Sequence, residues 1–262
     1  MTDRPPLAGQ HALITGGGKG IGAAIAEALA GLGASLTLVG RDQAALDATR
    51  DALGKKSDVP IVSHVADVTD PAAVAAAFQR ASDEIGPVTI LVNNAGAAQS
   101  APFLRTDRGL WDAMLAINVT AAFSCTQAAL PMMRGAGWGR VINIASTAGL
   151  KGYRYVSAYV AAKHALVGLT RSLALELANT AITVNAVCPG FTNTALLERA
   201  VNNITEKTGV SADQARAQFA ETNPQGRLIT PGEVAHTVAW LCHGDSGAIT
   251  GQAIAVAGGE VM

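Results

Sequence analysis

The chain is poor in charge, in aromatics and in cysteine. Only 15% of its 262 residues are Asp, Glu, Lys or Arg, and they nearly cancel, leaving a formal net charge of −1. So balanced a set argues against non-specific nucleic-acid binding, which needs a basic face. The three cysteines, Cys125, Cys188 and Cys242, lie far apart with no C-x-x-C pair, and the five histidines lack metal-ligand spacing. That pattern predicts reduced, buried thiols and no metal site. No unbroken apolar run is long enough to cross a membrane, and the opening "MTDRPPLAGQ" lacks the apolar centre of a signal peptide. The expected setting is therefore the cytoplasm, without a membrane partner.

What the chain has is apolar residues, 49% of the total, in an ordered alternation. The β-type runs "HALIT", "ASLTLVG", "PIVSHVAD", "VTILVNN", "GRVINIAS", "AITVNAVCP" and "ITGQAIAVAGG" are separated by Ala-rich helical stretches. Near-continuous apolar strands are buried on both faces. Strand–helix alternation predicts an α/β fold, a single doubly wound Rossmann-type domain with a mostly parallel seven-stranded sheet. Asp70 followed by Pro71 marks one helix start, and "TPGE" at 230–233 is a capping box. The polar, charge-rich stretch 191–226 breaks the rhythm and predicts two helices with a turn near Gly209. It reads equally as an exposed insertion or as a lid over the site.

The loop "TGGGKGIG", Thr15–Gly22, joins the first strand to the first helix. Glycines in such a turn let the backbone approach a pyrophosphate, and the helix N-terminus supplies N–H donors and positive potential. Gly16, Gly20 and Gly22 suit that task, although glycine-rich turns are often only tight turns. In NAD-binding folds the second strand usually ends in a carboxylate that takes the ribose hydroxyls. Here Gly40 holds that place and Arg41 follows it, while Lys19 sits inside the loop. Lys and the guanidinium fork of Arg match a 2′-phosphate, so NADP(H) is the preferred cofactor, with NAD(H) as the alternative. Asp42 reads as the next helix's N-cap.

Tyr159 and Lys163 are four apart in a helical pattern and share a face. An ammonium beside a phenol favours the phenolate, so Lys163 is expected to lower the Tyr159 pKa and make it a general acid/base. Alone, such a pair is more often a surface contact. Ser146 ends the strand "RVINIAS", where its hydroxyl can hold a carbonyl oxygen in line with Tyr159.

With these residues the chain resembles the short-chain dehydrogenase/reductase family, from about Leu7 to the C-terminus. The spacing T-G-x-x-x-G-x-G is that family's cofactor signature, and "NNAG" at Asn93–Gly96 matches its sheet-stabilising motif. The resemblance implies that Ser146, Tyr159, Lys163 and Asn118 are catalytic. It also implies cofactor contacts from Gly18 and Ile21 in the loop, Asp67 and Val68 at the adenine, and Asn94, Ala95 and Gly96. Pro189 and Gly190 would form the nicotinamide-side turn, with Thr192 beside them, and Thr194 would contact the carboxamide or the phosphate region. Ala257 departs from the family, which often carries Asp before the "GG".

Among family members the chain is similar to 3-oxoacyl thioester reductases, polyketide-type ketoreductases and 3-hydroxybutyrate dehydrogenases. The polar grip of the last group on a free carboxylate would fall on Ala98, Ala148 and Val156, which are all apolar. A buried carboxylate there would lack partners unless Gln99 or a lid residue takes over. The resemblance implies reduction of a 3-oxoacyl thioester. A cyclic, aromatic or other neutral secondary alcohol is the alternative, as is NAD-dependent hydroxyacyl or 3-hydroxybutyrate oxidation. Lys151, Tyr153 and Arg154, at the expected pocket mouth, could meet a thioester tail, or be solvated loop or subunit-contact residues. A non-catalytic dinucleotide sensor would be expected to lack one of the four catalytic residues. The apolar helices around Asp112–Met133 and Val156–Ala178 are expected to pair in a homotetramer.

Overall fold

The computed structural model describes residues 4–262. Seven strands form one sheet: β1 (His11–Thr15), β2 (Ser35–Gly40), β3 (Ile61–Val65), β4 (Ile90–Asn93), β5 (Gly139–Ile144), β6 (Ile182–Pro189) and β7 (Ala253–Val256). Their order is β3-β2-β1-β4-β5-β6-β7, and every neighbouring pair is parallel, so "mostly parallel" understates the sheet. The helices are α1 (Gly20–Gly31), α2 (Gln43–Gly54), α3 (Pro71–Glu84), α4 (Arg108–Leu115), α5 (Ala121–Ala136), α6 (Ser157–Glu176), α7 (Ala195–Thr208), α8 (Ala212–Glu221) and α9 (Pro231–Cys242).

Strand side chains alternate between two buried layers, as the two-residue period of a pleated strand requires. In β1, Ala12 and Ile14 join a core with Ile25 and Leu29 of α1 and Val234 and Val238 of α9. Leu13 points the other way, into a core with Phe78 of α3 and Cys125, Ala129 and Met133 of α5. The expected caps are present. Asp42 accepts from Ala45 N at 3.1 Å, Asp70 from Ala72 N at 2.9 Å, and Thr230 and Glu233 close a capping box.

The helical stretch Arg108–Ala136 is 29 residues long and contains an 18-residue window of mean hydropathy 1.4, long and apolar enough to cross a membrane by length and composition. Arg108, Asp112 and Arg134 interrupt it as an apolar run, and its Ala121, Cys125, Ala129 and Met133 face packs on the sheet. In the 191–226 stretch α7 ends at Gly209 in a left-handed conformation (φ 74°), the turn expected between its two helices. Leu197, Val201 and Ala215 bury a small apolar cluster of their own, with Phe191 and Phe219 packed against it.

The order of strands reverses its growth between β1 and β4. Ligands of open parallel sheets bind beyond the carboxyl ends of the strands at such a switch. The chain places Gly16, Asn94, Ser146 and Gly190 just past the ends of β1, β4, β5 and β6.

Candidate active site

The glycine loop is held by the next strand. Asn94 donates from Nδ2 to the carbonyls of Thr15 (2.9 Å) and Gly16 (3.2 Å), while its backbone N–H donates to Thr15 Oγ1 at 3.0 Å. Close packing dictates glycine at two positions. A Cβ at Gly22 would lie 2.2 Å from Gly16 O and 2.6 Å from Asn94 Nδ2, and Gly16 has φ 66°. Gly22→Ala is therefore expected to cost about 1–3 kcal/mol of stability by overpacking and to weaken dinucleotide binding, read by thermal melting and cofactor titration.

Helix α1 begins at Gly20 with no side-chain cap and no acidic residue in its first turn. The N-cap of α7, Thr194, makes no side-chain cap bond either, and its Cγ2 would stand 3.3 Å from a Cβ at Gly20. Two helix N-termini thus meet with unsatisfied N–H groups, a combination suited to an anion such as pyrophosphate. Thr192 is buried with its hydroxyl donating to Gly190 O at 2.9 Å, and Ile21 is partly buried behind the loop.

The two cations expected at a 2′-phosphate lie on the same edge, each facing a carboxylate. Lys19 Nζ is 2.5 Å from Asp42 Oδ2, and Arg41 Nη1 is 3.7 Å from Asp67 Oδ2, with the Lys19 and Arg41 side chains 65% and 76% exposed. Ion pairs this exposed are weak. Asp67 also accepts from the N–H and hydroxyl of Thr69, which lower its pKa and keep it ionised. Val68 beside it is buried.

The Ser146, Tyr159, Lys163 and Asn118 side chains converge. Ser146 Oγ accepts from Ala148 N at 3.1 Å, and its hydroxyl acts on the Tyr159 phenol, favouring the phenolate. Lys163 is 4% exposed, with Nζ 5.6 Å from the centre of the Tyr159 ring and donating to Ile144 O at 2.8 Å. Asn118 lies in a π turn, Ala116–Thr120, between α4 and α5. Its Nδ2 takes the Met114 carbonyl at 3.0 Å, the acceptor its own helical N–H would use, and also donates to Ala97 O at 2.8 Å. A side chain inserted into the helix ladder opens the turn. Gly96 separates Asn118 from Lys163: a Cβ there would stand 2.8 Å from Asn118 Oδ1 and 3.6 Å from Lys163 Nζ.

The electrostatics correct one expectation. Burial pushes the Tyr159 phenol up from its ordinary pKa, with the Ser146 hydroxyl pulling the other way. Lys163 is not among the groups that shift it. Burial lowers the ammonium itself to about 8, because no carboxylate accompanies it inside. Tyr159 is thus held in its acid form, ready to give a proton.

Asn93 plays a different part. Its Nδ2 bridges Asn143 Oδ1 (2.9 Å) and Thr126 Oγ1 (3.1 Å), and Asn143 continues to Thr170 at 2.9 Å. This chain of polar groups ties β4 and β5 to α5 and α6. Sequence reading expected Cys188 to be a buried thiol but not its place in the site: burial pushes it up to about 11, and it sits close enough to influence Lys163 and Tyr159. It also missed Glu260, 107 residues beyond its partner Tyr153. No local pattern announces a contact across that distance. Lys151 and Tyr153 turn toward Glu260, whereas Arg154 is exposed.

A family model described as short chain dehydrogenase matches residues 10–205. The chain belongs to that family. Relatives in the short-chain dehydrogenase family include a D-beta-hydroxybutyrate dehydrogenase of Cupriavidus necator, 40% identical over 237 residues, covering 90% of this chain and 91% of the relative. A 3-oxoacyl-acyl-carrier-protein reductase of Aquifex aeolicus is 34% identical over 253 residues, covering 97% and 98%. Among solved structures, a variant of actinorhodin polyketide ketoreductase with NADPH superposes with a TM-score of 0.92 at 35% identity, covering 96% of this chain and 97% of that one. This short-chain dehydrogenase is an oxidoreductase of ketones and secondary alcohols, in a family that uses nicotinamide dinucleotides.

Proposed function

We propose that the protein uses NADPH to reduce a neutral ketone, foremost the 3-oxo group of an acyl thioester bound to CoA or a carrier protein. One observation carries the reading: a Tyr159 phenol kept protonated by burial, beside Ser146 and backed by buried Lys163, lies on the sheet edge that also carries two uncapped helix N-termini. The relatives named for oxoacyl and polyketide ketone reduction support it.

The cradle fits the cofactor. Gly16, Gly18, Gly20 and Gly22 with the α1 N–H groups would hold its pyrophosphate, and Lys19 and Arg41 its 2′-phosphate. Asp67 and Val68 would flank the adenine, Asn94, Ala95 and Gly96 the adjoining ribose, and Pro189, Gly190, Thr192 and Thr194 the nicotinamide. When bound, the cofactor supplies the hydride. Ser146 holds the carbonyl oxygen and steadies its growing negative charge, while Tyr159 delivers the proton to that oxygen. Lys163 holds the nicotinamide ribose and returns a proton to Tyr159. Asn118, opposite Lys163 across Gly96, connects it to solvent. The 191–226 stretch closes the site as a lid.

Asp42 favours a second reading. A carboxylate 2.5 Å from Lys19 could take ribose hydroxyls in place of a phosphate, giving NAD(H). Arg41→Asp separates the two: it is expected to lower the NADPH-to-NADH ratio of kcat/KM by at least about tenfold, the worth of a charge-assisted phosphate contact. An unchanged ratio rejects the 2′-phosphate assignment. For the substrate, loss of NADPH absorbance is followed with a 3-oxoacyl thioester, a simple oxoester and a cyclic ketone; preference for the cyclic ketone would favour an alcohol dehydrogenase.

Assembly follows from the surface. Phe123 on α5, Leu175 on α6 and Trp240 on α9 are 45%, 81% and 50% exposed. Covering such faces supports a homotetramer, which light scattering on the purified protein tests. Buried free thiols at Cys125, Cys188 and Cys242 accord with the cytoplasm.

A further inference from the structure

Between Ser146 and Tyr159 the loop turns two donors, Lys151 and Tyr153, onto Glu260 near the C-terminus. Lys151 Nζ lies 3.1 Å from Glu260 Oε1 and 3.4 Å from the Glu260 main-chain oxygen. The Tyr153 hydroxyl donates to the same Oε1 and receives a hydrogen bond from Thr147, 2.6 Å away. The Glu260 side chain is 1% exposed, and its Oε2 has no hydrogen-bond partner among the described residues. That oxygen rests against Gly190, where a Cβ would stand 2.9 Å from it. Tyr153 also meets Phe191 edge-on at 6.0 Å, and its phenol senses Tyr159. The cluster therefore forms one wall of the space beside Ser146 and Tyr159.

A carboxylate oxygen buried without a donor costs stability, and a buried ion pair gains little over apolar residues of the same volume. Stability does not account for Glu260. Its effect on the pocket does. With Ala98, Ala148 and Val156 apolar, Lys151 and Tyr153 are the donors this wall could offer a carboxylate on a substrate. We propose that Glu260 is a specificity-determining residue. Its carboxylate occupies the Lys151 ammonium and the Tyr153 hydroxyl proton, and so turns the pocket from free oxo acids to neutral ketones. The inference rests on the ketone-reductase reading and narrows its substrate class.

The test compares kcat and KM for acetoacetate and for ethyl acetoacetate in the full-length wild type, Glu260→Gln, Lys151→Met and the double variant. Freeing the Lys151 ammonium in Glu260→Gln is expected to raise the acetoacetate-to-ester ratio of kcat/KM by about tenfold, mainly through KM. The double variant is expected to return the ratio to the wild-type value, and Lys151→Met alone to keep it at or below that value. Glu260→Met, of similar volume, replaces Glu260→Gln if the latter fails to fold. A purely structural Glu260 would lower kcat/KM for both substrates together and leave their ratio unmoved, overturning the assignment. A gain that survives in the double variant overturns it as well. Failure of the wild type to reduce either substrate with either cofactor counts against the reductase reading itself, an outcome distinct from an unchanged ratio.

Discussion

Tyr159→Phe is expected to lower kcat for ketone reduction by about 10³-fold or more while leaving cofactor affinity within a few-fold. The loss falls in the range that a positioned general acid contributes. The ring stays in place and only the proton donor goes, so NADPH titration by fluorescence should change little. Near-normal turnover would remove Tyr159 from the acid role. The pH dependence sharpens the point. Burial keeps the phenol protonated, so the reducing reaction should be flat from mildly acidic pH to neutrality. It should weaken as Lys163, lowered to about 8, loses the proton it returns to Tyr159. Alcohol oxidation needs the phenol to accept a proton, so its rate should rise over that alkaline range. Initial rates in both directions across one pH series decide this.

Lys163→Met should have two effects of opposite sign. Activity is expected to fall by about 10²–10⁴-fold, because proton return to Tyr159 and the hold on the ribose go together. Stability of the cofactor-free protein is expected to rise. Lowering a lysine from its ordinary 10.5 to about 8 corresponds to a penalty of about 3 kcal/mol for carrying the charge inside. Met removes that penalty but leaves Ile144 O without its 2.8 Å donor, costing about 1 kcal/mol. The net gain expected at neutral pH is about 2 kcal/mol, read as a shift in urea midpoint.

The sign follows from proton binding. Below about 8 the lysine is charged in both folded and unfolded chains, and the penalty is complete. Between about 8 and 10.5 the unfolded chain binds more protons, so this group's contribution raises stability with pH. The advantage of Lys163→Met should therefore shrink across that window. An advantage that stays constant would mean that burial does not strain the lysine.

Much of this was legible in local sequence because it depends on short-range rules. Alternating apolar strands and helices specify the parallel sheet, Asp70–Pro71 and Thr230–Glu233 mark helix starts, and Gly209 marks the turn between α7 and α8. The glycines at 16 and 22 are readable as a tight turn because Gly22 packs on the Gly16 carbonyl within the loop, although both also press on Asn94, far away in sequence. Tyr159 and Lys163 are readable because a helix places residues four apart on one face.

The tertiary structure decided what happens when distant segments meet. Whether Lys163 would lower the Tyr159 pKa depended on burial: sequence spacing specifies proximity, whereas desolvation depends on everything packed around the pair. That is why burial moves both groups toward their neutral forms and the phenol remains an acid. The pairing of Lys19 with Asp42 and of Arg41 with Asp67 likewise needed the loops after β1, β2 and β3 side by side. Glu260 is the plainest case. By itself the sequence determined a dinucleotide-binding oxidoreductase; only the fold, bringing the Glu260 side-chain carboxylate to Lys151 and Tyr153, decided how those donors are engaged.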